Sequence, residues 1–318
     1  MKQKNLKYHS ILIIYFLLVS FSGTTTRINN RNYYTPVGRI LSARDIKLKL
    51  EYKVSVTGHV SKMKLKMVIP GNIKNRQTVN RISFSIQPDS IYLINSNSYA
   101  LFIFHDIDKN FKITIKSNLT IYRSISDKND SAVNDLSTYL VAEKNIECGS
   151  PKILAAAATL KQKTDIETVI KTFDYVKSTI RYEENSAIGA EKVLETGVGK
   201  CMDYSDLFVA LLRANKIPAK SMFGMVVDYD GDNPLHAWPE AYLKKQGWIR
   251  FDPTTGHSDI SNVGKNYIME ISNKYIILSE GRNDPELHAA LYGYSYNCSN
   301  ACDTKVKISF DIAAQETE

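Results

Sequence analysis

The sequence is poor in cysteine and lacks the closely paired cysteines that hold structural zinc. Its four cysteines stand at positions 148, 201, 298 and 302 in a chain of 318 residues, and no two are separated by only two residues. Zinc ribbons and related sites need such thiolate pairs, so a zinc site is not expected. Calcium-loop signatures are also missing. We therefore expect neither a metal nor another cofactor.

Dense basic clusters with interleaved aromatic residues are missing as well. The formal net charge is +8, and Lys2, Lys4 and Lys7 contribute three of these charges, so 8 − 3 leaves +5 for the rest of the chain. This mild basicity argues against nucleic-acid binding, which relies on concentrated Lys and Arg side chains. With 43% hydrophobic and 23% charged residues the composition is that of a globular protein, and the length predicts two domains.

No apolar run near the N-terminus is long enough to cross a membrane comfortably. The apolar stretch at residues 11–19 follows three lysines and precedes small residues at Ser20 and Ser22. This order is typical of a signal peptide that is cleaved before Gly23. We therefore expect residues 1–22 to be removed and the protein to be extracytoplasmic, either periplasmic or secreted. An uncleaved anchor, which would be the only expected membrane contact, is left open.

Strict alternation of apolar and polar residues begins at Ile46. Apolar side chains occupy every second position from there to Val56, and five shorter alternating runs follow at 63–69, 82–86, 101–103, 111–115 and 119–121. Short alternating runs separated by turn residues are typical of a β-sandwich, so we assign one to residues 44–124. The polar segments at 23–43 and 125–147 are interpreted as linkers.

Helical signals dominate after the second linker, and residues 148–318 are assigned to an α+β domain. Thr164 and Glu167 form the pattern of a capping box at the start of a helix. The apolar stripe at 166–180 has helical spacing and is interpreted as core. Alternation returns at 304–312, which predicts a C-terminal β extension of this domain.

Cys201 follows a loop with two glycines and begins an amphipathic segment. Tyr204, Phe208, Leu211 and Leu212 recur in this segment at the spacing of one helix face. We therefore expect Cys201 at the N-terminus of a helix, where the helix dipole and free amide N–H groups favour a thiolate. A reactive cysteine is predicted here, and the alternative is a buried structural cysteine.

A β-hairpin is predicted after this helix. Residues 236–242 and 248–252 are rich in aromatic and β-branched residues and flank the short segment Lys-Lys-Gln-Gly. His236 and Asp252 then lie at the open end of the hairpin, on one face of the sheet. In that geometry the carboxylate orients the imidazole. Cys201 at the other ring nitrogen completes a set of nucleophile, base and orienting group.

Three segments together resemble the transglutaminase-like superfamily, papain-like cysteine enzymes in which Cys, His and Asp occur in that order. They are Gly-Val-Gly-Lys-Cys201-Met-Asp-Tyr, then His236-Ala-Trp-Pro-Glu, and finally Gly-Trp-Ile-Arg-Phe-Asp252-Pro-Thr. The resemblance is densest over residues 164–255, and the N-terminal β region is similar to that of exported bacterial members. It implies an α+β domain with an antiparallel sheet, with Cys201 as the nucleophile, His236 as the general base and acid, and Asp252 as its orienting group.

The chemistry implied by this resemblance is acyl transfer at amide bonds of proteins or peptides, through a thioester on Cys201. If water resolves the thioester, the protein is a peptidase, amidase or deamidase; if an amine resolves it, the protein is a transglutaminase. The sequence leaves these open. The competing interpretation is a non-catalytic extracytoplasmic protein that binds a peptide or glycan with the same fold. The expected partner is a protein or peptide substrate, and the oligomeric state is open.

Two details outside the three segments complete the expectations. The segment 279–286 resembles a loop common in exported members, and it is interpreted either as a rim of the substrate cleft or as an exposed polar turn. Cys298 and Cys302 are four positions apart, a spacing compatible with a small disulfide-closed loop in an oxidising compartment. Pairing of Cys148 with either of them is left open.

Overall fold

The computed structural model describes residues 38–126, 135–184, 188–227, 235–263, 266–298 and 303–317. In these ranges an N-terminal β-sandwich is followed by a domain in which helices pack around one antiparallel sheet. The α+β fold class expected from the sequence is therefore confirmed. The expected signal peptide at 1–22 lies outside the described residues. None of the described helices is both long and apolar enough to cross a bilayer.

The sandwich begins with six strands. They are β1 (Gly38–Thr57), β2 (Val60–Ile69), β3 (Gln77–Phe84), β4 (Ser90–Ile94), β5 (Asn97–Ile107) and β6 (Phe111–Ser126). Their inner faces share one core, to which Leu48, Met63 and Phe102 belong. Strand β1 starts inside the segment interpreted as a linker, because its first residue pairs with Ser126 at the end of β6.

The second domain consists of four helices and several strands within the described ranges. The helices are α1 (Pro151–Leu160), α2 (Asp165–Thr179), α3 (Ala190–Thr196) and α4 (Cys201–Ala214), preceded by a 3₁₀ turn at Ser137–Tyr139. The strands are β7 (Arg181–Tyr182), β8 (Val198–Gly199), β9 (Ala219–Val226), β10 (Leu235–Leu243), β11 (Gly247–Asp252), β12 (His257–Ser258) and, further along the chain, β15 (Tyr275–Glu280). The intervening strands β13 (Ile260–Val263) and β14 (Asn266–Ile271) extend a sheet of the sandwich, because β14 pairs with β6. The capping box of Thr164 and Glu167 starts α2 as predicted.

Helix α4 forms the centre of the second domain. The central sheet has the strand order β12-β11-β10-β9-β15, and α4 packs on β9 and β10. The other three helices pack against α4, so its side chains from Asp203 to Arg213 are all buried. A helix held on every side in this way fixes the position of its first residue.

The C-terminal strands β16 (Tyr292–Asn297) and β17 (Lys305–Glu316) belong to the sandwich by their hydrogen bonds. Strand β17 pairs with β1, and β16 pairs with β2. The two sandwich sheets have the orders β13-β14-β6-β1-β17, with β3 also on β6, and β16-β2-β5-β4. The sequence grouped these strands with the domain at 148–318, and the structure differs on this point. Alternation identifies a strand but does not show which edge it joins.

The sandwich also supports the central sheet of the second domain. Met225 of β9 and Ile276 of β15 pack into the sandwich core. Arg76, which precedes β3, forms a buried ion pair with Glu240 of β10 and donates a hydrogen bond to the carbonyl oxygen of Trp248 at 2.6 Å. The β10–β11 hairpin is therefore held between helix α4 and the sandwich.

Candidate active site

Helix α4 begins at Cys201, where the sequence analysis expected a helix to start. Gly197 ends helix α3 in the left-handed region, with a φ of 65°. Gly199 lies so close to Asp203 that an added Cβ would come within 2.8 Å of that side chain. The Asp203 carboxylate accepts a hydrogen bond from the backbone N–H of Lys200 at 3.0 Å. These contacts place a half-buried Cys201 thiol at the positive end of the helix dipole.

The β10–β11 hairpin brings His236 and Asp252 together. Leu243 pairs with Gly247 across the turn, and this register puts the two side chains on the same face of the sheet. Nε2 of His236 lies 2.8 Å from Oδ2 of Asp252. The Asp252 side chain is fully buried, and that of His236 is only 11% exposed. The predicted hairpin, including its turn, is present in the structure.

Cys201 lines the same cleft as His236, and its side chain lies near enough to the imidazole to contribute to the raised pKa of His236. Because Nε2 contacts Asp252, the ring nitrogen available to the thiol is Nδ1. Burial lowers the pKa of His236, but the interactions with Asp252 and Cys201 outweigh burial and raise this pKa to about 9. The imidazole is therefore protonated at neutral pH and is stabilised from both sides. The structure thus brings all three predicted site residues into one constellation.

The Asp252 carboxylate accepts three hydrogen bonds. Oδ2 accepts one from His236 and one from the Tyr275 hydroxyl at 2.9 Å, and Oδ1 accepts one from the backbone N–H of Thr255 at 3.2 Å. Burial raises the pKa of Asp252, but these bonds, that of His236 first, bring it below its ordinary value. Asp252 is therefore ionised at neutral pH.

Tyr275 is the residue of this site that sequence reasoning missed. It lies 23 residues after Asp252, at the start of β15. Strand β15 reaches the site because it pairs with β9 on the far side of β10. No motif around Tyr275 announces this pairing, so the sequence offered no local signal.

Cys201 and His236 line a cleft of about 450 Å³. Its other lining side chains include an apolar group, namely Met202, Phe223, Leu235, Ala289 and Leu291, and the charged residues Lys200 and Glu184. Neither Trp238 nor Trp248 lines this cleft, and Trp238 is fully buried with its ring 6.2 Å from that of His236. Pockets of about 300–1,000 Å³ are typical of ligand-binding sites.

One wall of the cleft comes from the loop 281–291, which joins β15 to β16. Asp284 folds this loop by accepting hydrogen bonds from the backbone N–H groups of Glu286, Leu287 and Ala289. It also accepts the hydroxyl hydrogen of Tyr99, a buried residue of β5, at 2.7 Å. The sandwich therefore holds the loop whose last residues line the cleft. None of residues 279–286 lines the cleft itself, which this loop reaches only at Ala289 and Leu291, so a rim formed by 279–286 stays a prediction.

The same loop is also tied to helix α4. Nε of Arg282 lies 3.1 and 3.0 Å from the two carboxylate oxygens of Asp206. Burial raises the pKa of Asp206 to about 8, while Arg282 acts in the opposite direction. Because Asp206 has no exposed surface, the pair connects the cleft wall to the helix that carries Cys201.

Cys148 and Cys298 do not line the cleft of Cys201 and His236. Cys148 is buried and is a free thiol, and burial raises its pKa. A disulfide between Cys298 and Cys302 stays a prediction, since Cys302 lies outside the described residues. No cluster of three or more metal-ligating side chains occurs among the residues that the structure describes.

Fold and site together define a papain-like α+β domain with a cysteine at a helix start and a His–Asp pair on neighbouring strands. Residues 152–253 match the family model described as the Transglutaminase-like superfamily. Residues 152–253 therefore carry the sequence pattern of this superfamily. The resemblance carried by the three sequence segments is confirmed.

Individual proteins are similar to this chain over the same region. The uncharacterized protein YebA of Bacillus subtilis is 28% identical over 102 residues, which cover 27% of this chain and 14% of YebA. A peptide-N(4)-(N-acetyl-β-glucosaminyl)asparagine amidase of Debaryomyces hansenii is 31% identical over 105 residues, which cover 28% of this chain and 27% of the amidase. The chain thus spans about a quarter or less of the length of these relatives.

A solved structure shows that the likeness in fold extends well beyond the matched region. A candidate cysteine protease from Cytophaga hutchinsonii superimposes with a TM-score of 0.62, covering 87% of this chain and 93% of its own. The two sequences are 16% identical, so the comparison supports the fold alone. Both domains of the present chain are included in a superposition of that extent.

Proposed function

We propose that the protein is a cysteine-nucleophile acyl-transfer enzyme that acts on amide bonds of proteins or peptides. One observation carries this proposal: Cys201 begins a buried helix and lines the same cleft as His236, whose Nε2 lies 2.8 Å from the buried Asp252 carboxylate. A pair that served only to hold the hairpin would not need a thiol beside it. Nor would it need to face an open cleft.

The proposed reaction starts from a Cys201 thiolate and a His236 imidazolium. The thiolate attacks the amide carbonyl carbon, and the backbone N–H of Cys201 at the helix start is the first donor for the developing oxyanion. When the C–N bond breaks, His236 gives its Nδ1 proton to the leaving amine and becomes neutral. Asp252 stabilises the imidazolium throughout and fixes the ring so that Nδ1 faces the sulfur.

The second half of the reaction resolves the thioester. Neutral His236 accepts a proton from the attacking group, and the C–S bond breaks to return the thiolate and the imidazolium. Attack by water gives a carboxylic acid, and attack by an amine gives a new amide. The two outcomes are distinguished by incubating a substrate peptide with the protein, with and without a primary amine. Mass spectrometry then shows whether the product is a carboxylic acid or carries the amine.

We also propose that the protein works outside the cytoplasm. The support is the order of lysines, apolar run and small residues within positions 1–22. N-terminal sequencing of protein recovered from an extracytoplasmic fraction tests this proposal, with a start near Gly23 as the expected result. Recovery of the intact N-terminus in the cytoplasmic fraction would contradict it.

Competitive alkylation tests the proposed enzyme class without a known substrate. Iodoacetamide at neutral pH should label Cys201 well before Cys148, because Cys201 reaches the cleft whereas Cys148 is buried with a raised thiol pKa. Cys201→Ser should abolish the fast labelling and keep the fold. A separate His236→Gln variant should retain the exposed thiol but label it slowly. Equal labelling of the two cysteines in the native protein would favour the non-catalytic binding protein instead.

A further inference from the structure

Tyr275 and His236 donate to the same oxygen of Asp252. The Tyr275 hydroxyl lies 2.9 Å from Oδ2, and Nε2 of His236 lies 2.8 Å from it. The second oxygen, Oδ1, accepts a hydrogen bond from the backbone N–H of Thr255 at the longer distance of 3.2 Å. The rotation of a carboxylate about its last side-chain bond is intrinsically soft. Two strong donors on one oxygen restrict that rotation.

The Tyr275 ring is itself held rigidly. It packs edge-on against Trp238 at 4.9 Å between centroids, and the guanidinium carbon of Arg250 lies 4.2 Å from its centroid. The His257 ring lies 6.0 Å away on a further strand, β12. Tyr275 is only 6% exposed, so its hydroxyl has no alternative position in solvent. The hydroxyl oxygen of Tyr275 therefore keeps one position next to the Asp252 carboxylate.

The Tyr275 hydroxyl remains a donor over the whole working range of pH. Burial, followed by the charge of Asp252, raises the pKa of this phenol far above its ordinary value. A phenol that never ionises always points its hydrogen at the carboxylate. Arg250 and His257 are the charged or titratable groups packed on the ring, and His236 is the one that shares its acceptor.

We infer that Tyr275 is a positioning residue, which orients the Asp252 carboxylate and thereby sets the direction in which His236 presents Nδ1 to Cys201. The inference rests on the proposed function. In its absence the carboxylate would turn towards Thr255, and the bond that orients the imidazole would weaken. The imidazolium would then stabilise the Cys201 thiolate less well.

Tyr275→Phe removes a single oxygen and tests the inference. The rate of Cys201 alkylation by iodoacetamide is measured from acidic to alkaline pH in the wild type and the variant. We expect the variant to react about tenfold more slowly near neutral pH, because the charge-assisted hydrogen bond from Tyr275 that orients the Asp252 carboxylate is lost. The rising limb of its pH profile should shift to higher pH. NMR of the His236 ring should show a lowered pKa.

Matched variants separate positioning from stability. Tyr122→Phe removes another tyrosine hydroxyl, one that donates to Thr78 in the sandwich at 3.1 Å, and should leave the profile unchanged. His257→Gln removes the neighbouring titratable ring, and a shift there equal to that of Tyr275→Phe would assign the effect to His257 and overturn the inference. A purely structural Tyr275 would lower the melting temperature of Tyr275→Phe and leave its pH profile as in the wild type.

Failure of this inference is distinguishable from failure of the proposed function. If native Cys201 is not labelled ahead of Cys148, the proposed function fails. If native labelling is selective but Tyr275→Phe matches the wild type, only the positioning role is overturned. Should Tyr275→Phe not fold, site-specific incorporation of 3-fluorotyrosine at position 275 keeps the ring and strengthens the donor. The rising limb should then shift to lower pH, and an unchanged limb would overturn the inference.

Discussion

Asp252→Asn is the substitution that most directly tests the proposed base. Asparagine keeps the shape of the side chain but offers one acceptor oxygen and an NH₂ group in place of two carboxylate oxygens. If the amide oxygen faces His236 and Tyr275, the NH₂ group faces the backbone N–H of Thr255. In the opposite orientation the NH₂ group faces the two donors His236 and Tyr275. Every orientation leaves a donor without an acceptor in a place that has no solvent exposure.

Two costs follow, and they affect different measurements. An unpaired buried donor costs about 1–3 kcal/mol of folding free energy, partly offset because a neutral side chain avoids the desolvation of a charge. Loss of the carboxylate also removes the main support of the imidazolium, whose pKa is raised to about 9 in the native protein. We expect the free energy of unfolding to fall by about 2 kcal/mol. The rate of acyl transfer should fall on the order of 10²–10⁴-fold.

The assay follows Cys201 alkylation and urea unfolding on the same samples. Asp259→Asn is a suitable control, because Asp259 is also buried and lies 3.3 Å from Nε2 of another histidine, His257. It should lower stability and leave the alkylation profile unchanged. The orienting role of Asp252 is contradicted if Asp252→Asn loses reactivity only to the extent that it unfolds. It is also contradicted if Asp259→Asn slows alkylation equally.

Three further predictions concern the surroundings of the site. The pKa of His236 is raised above its ordinary value of 6.5 to about 9. Protonated His236 therefore stabilises the fold fully below about pH 6.5, and this stabilisation is lost as the pH rises through about 9. The urea concentration at half-unfolding should fall over that pH range, and it should fall less in His236→Gln. Arg282→Ala leaves Asp206 buried without its partner. Because burial raises the pKa of Asp206 to about 8, its carboxyl can take up a proton, so the loss of its hydrogen bonds should lower the free energy of unfolding by about 1–3 kcal/mol in urea, with a smaller loss in Arg282→Lys. Gly224→Ala would place Cβ 1.9 Å from the carbonyl oxygen of Ile276. This variant should not be expressed in soluble form, or its melting temperature should be severely lowered. Near-native stability would contradict the close approach of β9 and β15.

The site was predictable because its parts are local in sequence. A helix start after glycines located Cys201, and one hairpin with a short turn fixed the offset between His236 and Asp252. Each of these signals spans fewer than about 20 residues, the range over which capping and pleat rules apply. Tyr275 required a different kind of information, since its strand reaches the site only through pairing with β9.

The sandwich shows the same limit in its strands. Two of the alternating runs expected between residues 111 and 121 form one strand, β6, because the buried Ser117 interrupts the apolar inner face without interrupting the backbone pairing. Strand β4 was not expected at all. Its Ile91 and Leu93 are exposed while Tyr92 and Ile94 pack against the core, so apolar residues lie on both faces and the segment shows no alternation of apolar and polar residues. A pattern of apolar and polar residues indicates which side chains are buried. It does not identify a strand whose backbone pairs without such a pattern.

The placement of β17 leads to the last prediction, which distinguishes the observed pairing from the grouping expected from the sequence. Strand β17 is paired with β1 over the stretch from Ile46↔Glu316 to Thr57↔Lys305, and Ile308 is buried in the sandwich core. Ile308→Ala should therefore destabilise the sandwich by about 1–4 kcal/mol, as buried aliphatic truncations do. Ser309→Ala, at the exposed neighbouring position, should not.

Hydrogen exchange provides the measurement, because it reports on the pairing partner directly. Ile308→Ala should raise exchange at the amides of β1 that face β17, while the amides of helix α4 stay protected. If β17 instead extended the second domain, the same substitution would raise exchange in the sheet of β9 and β10 and leave β1 unchanged.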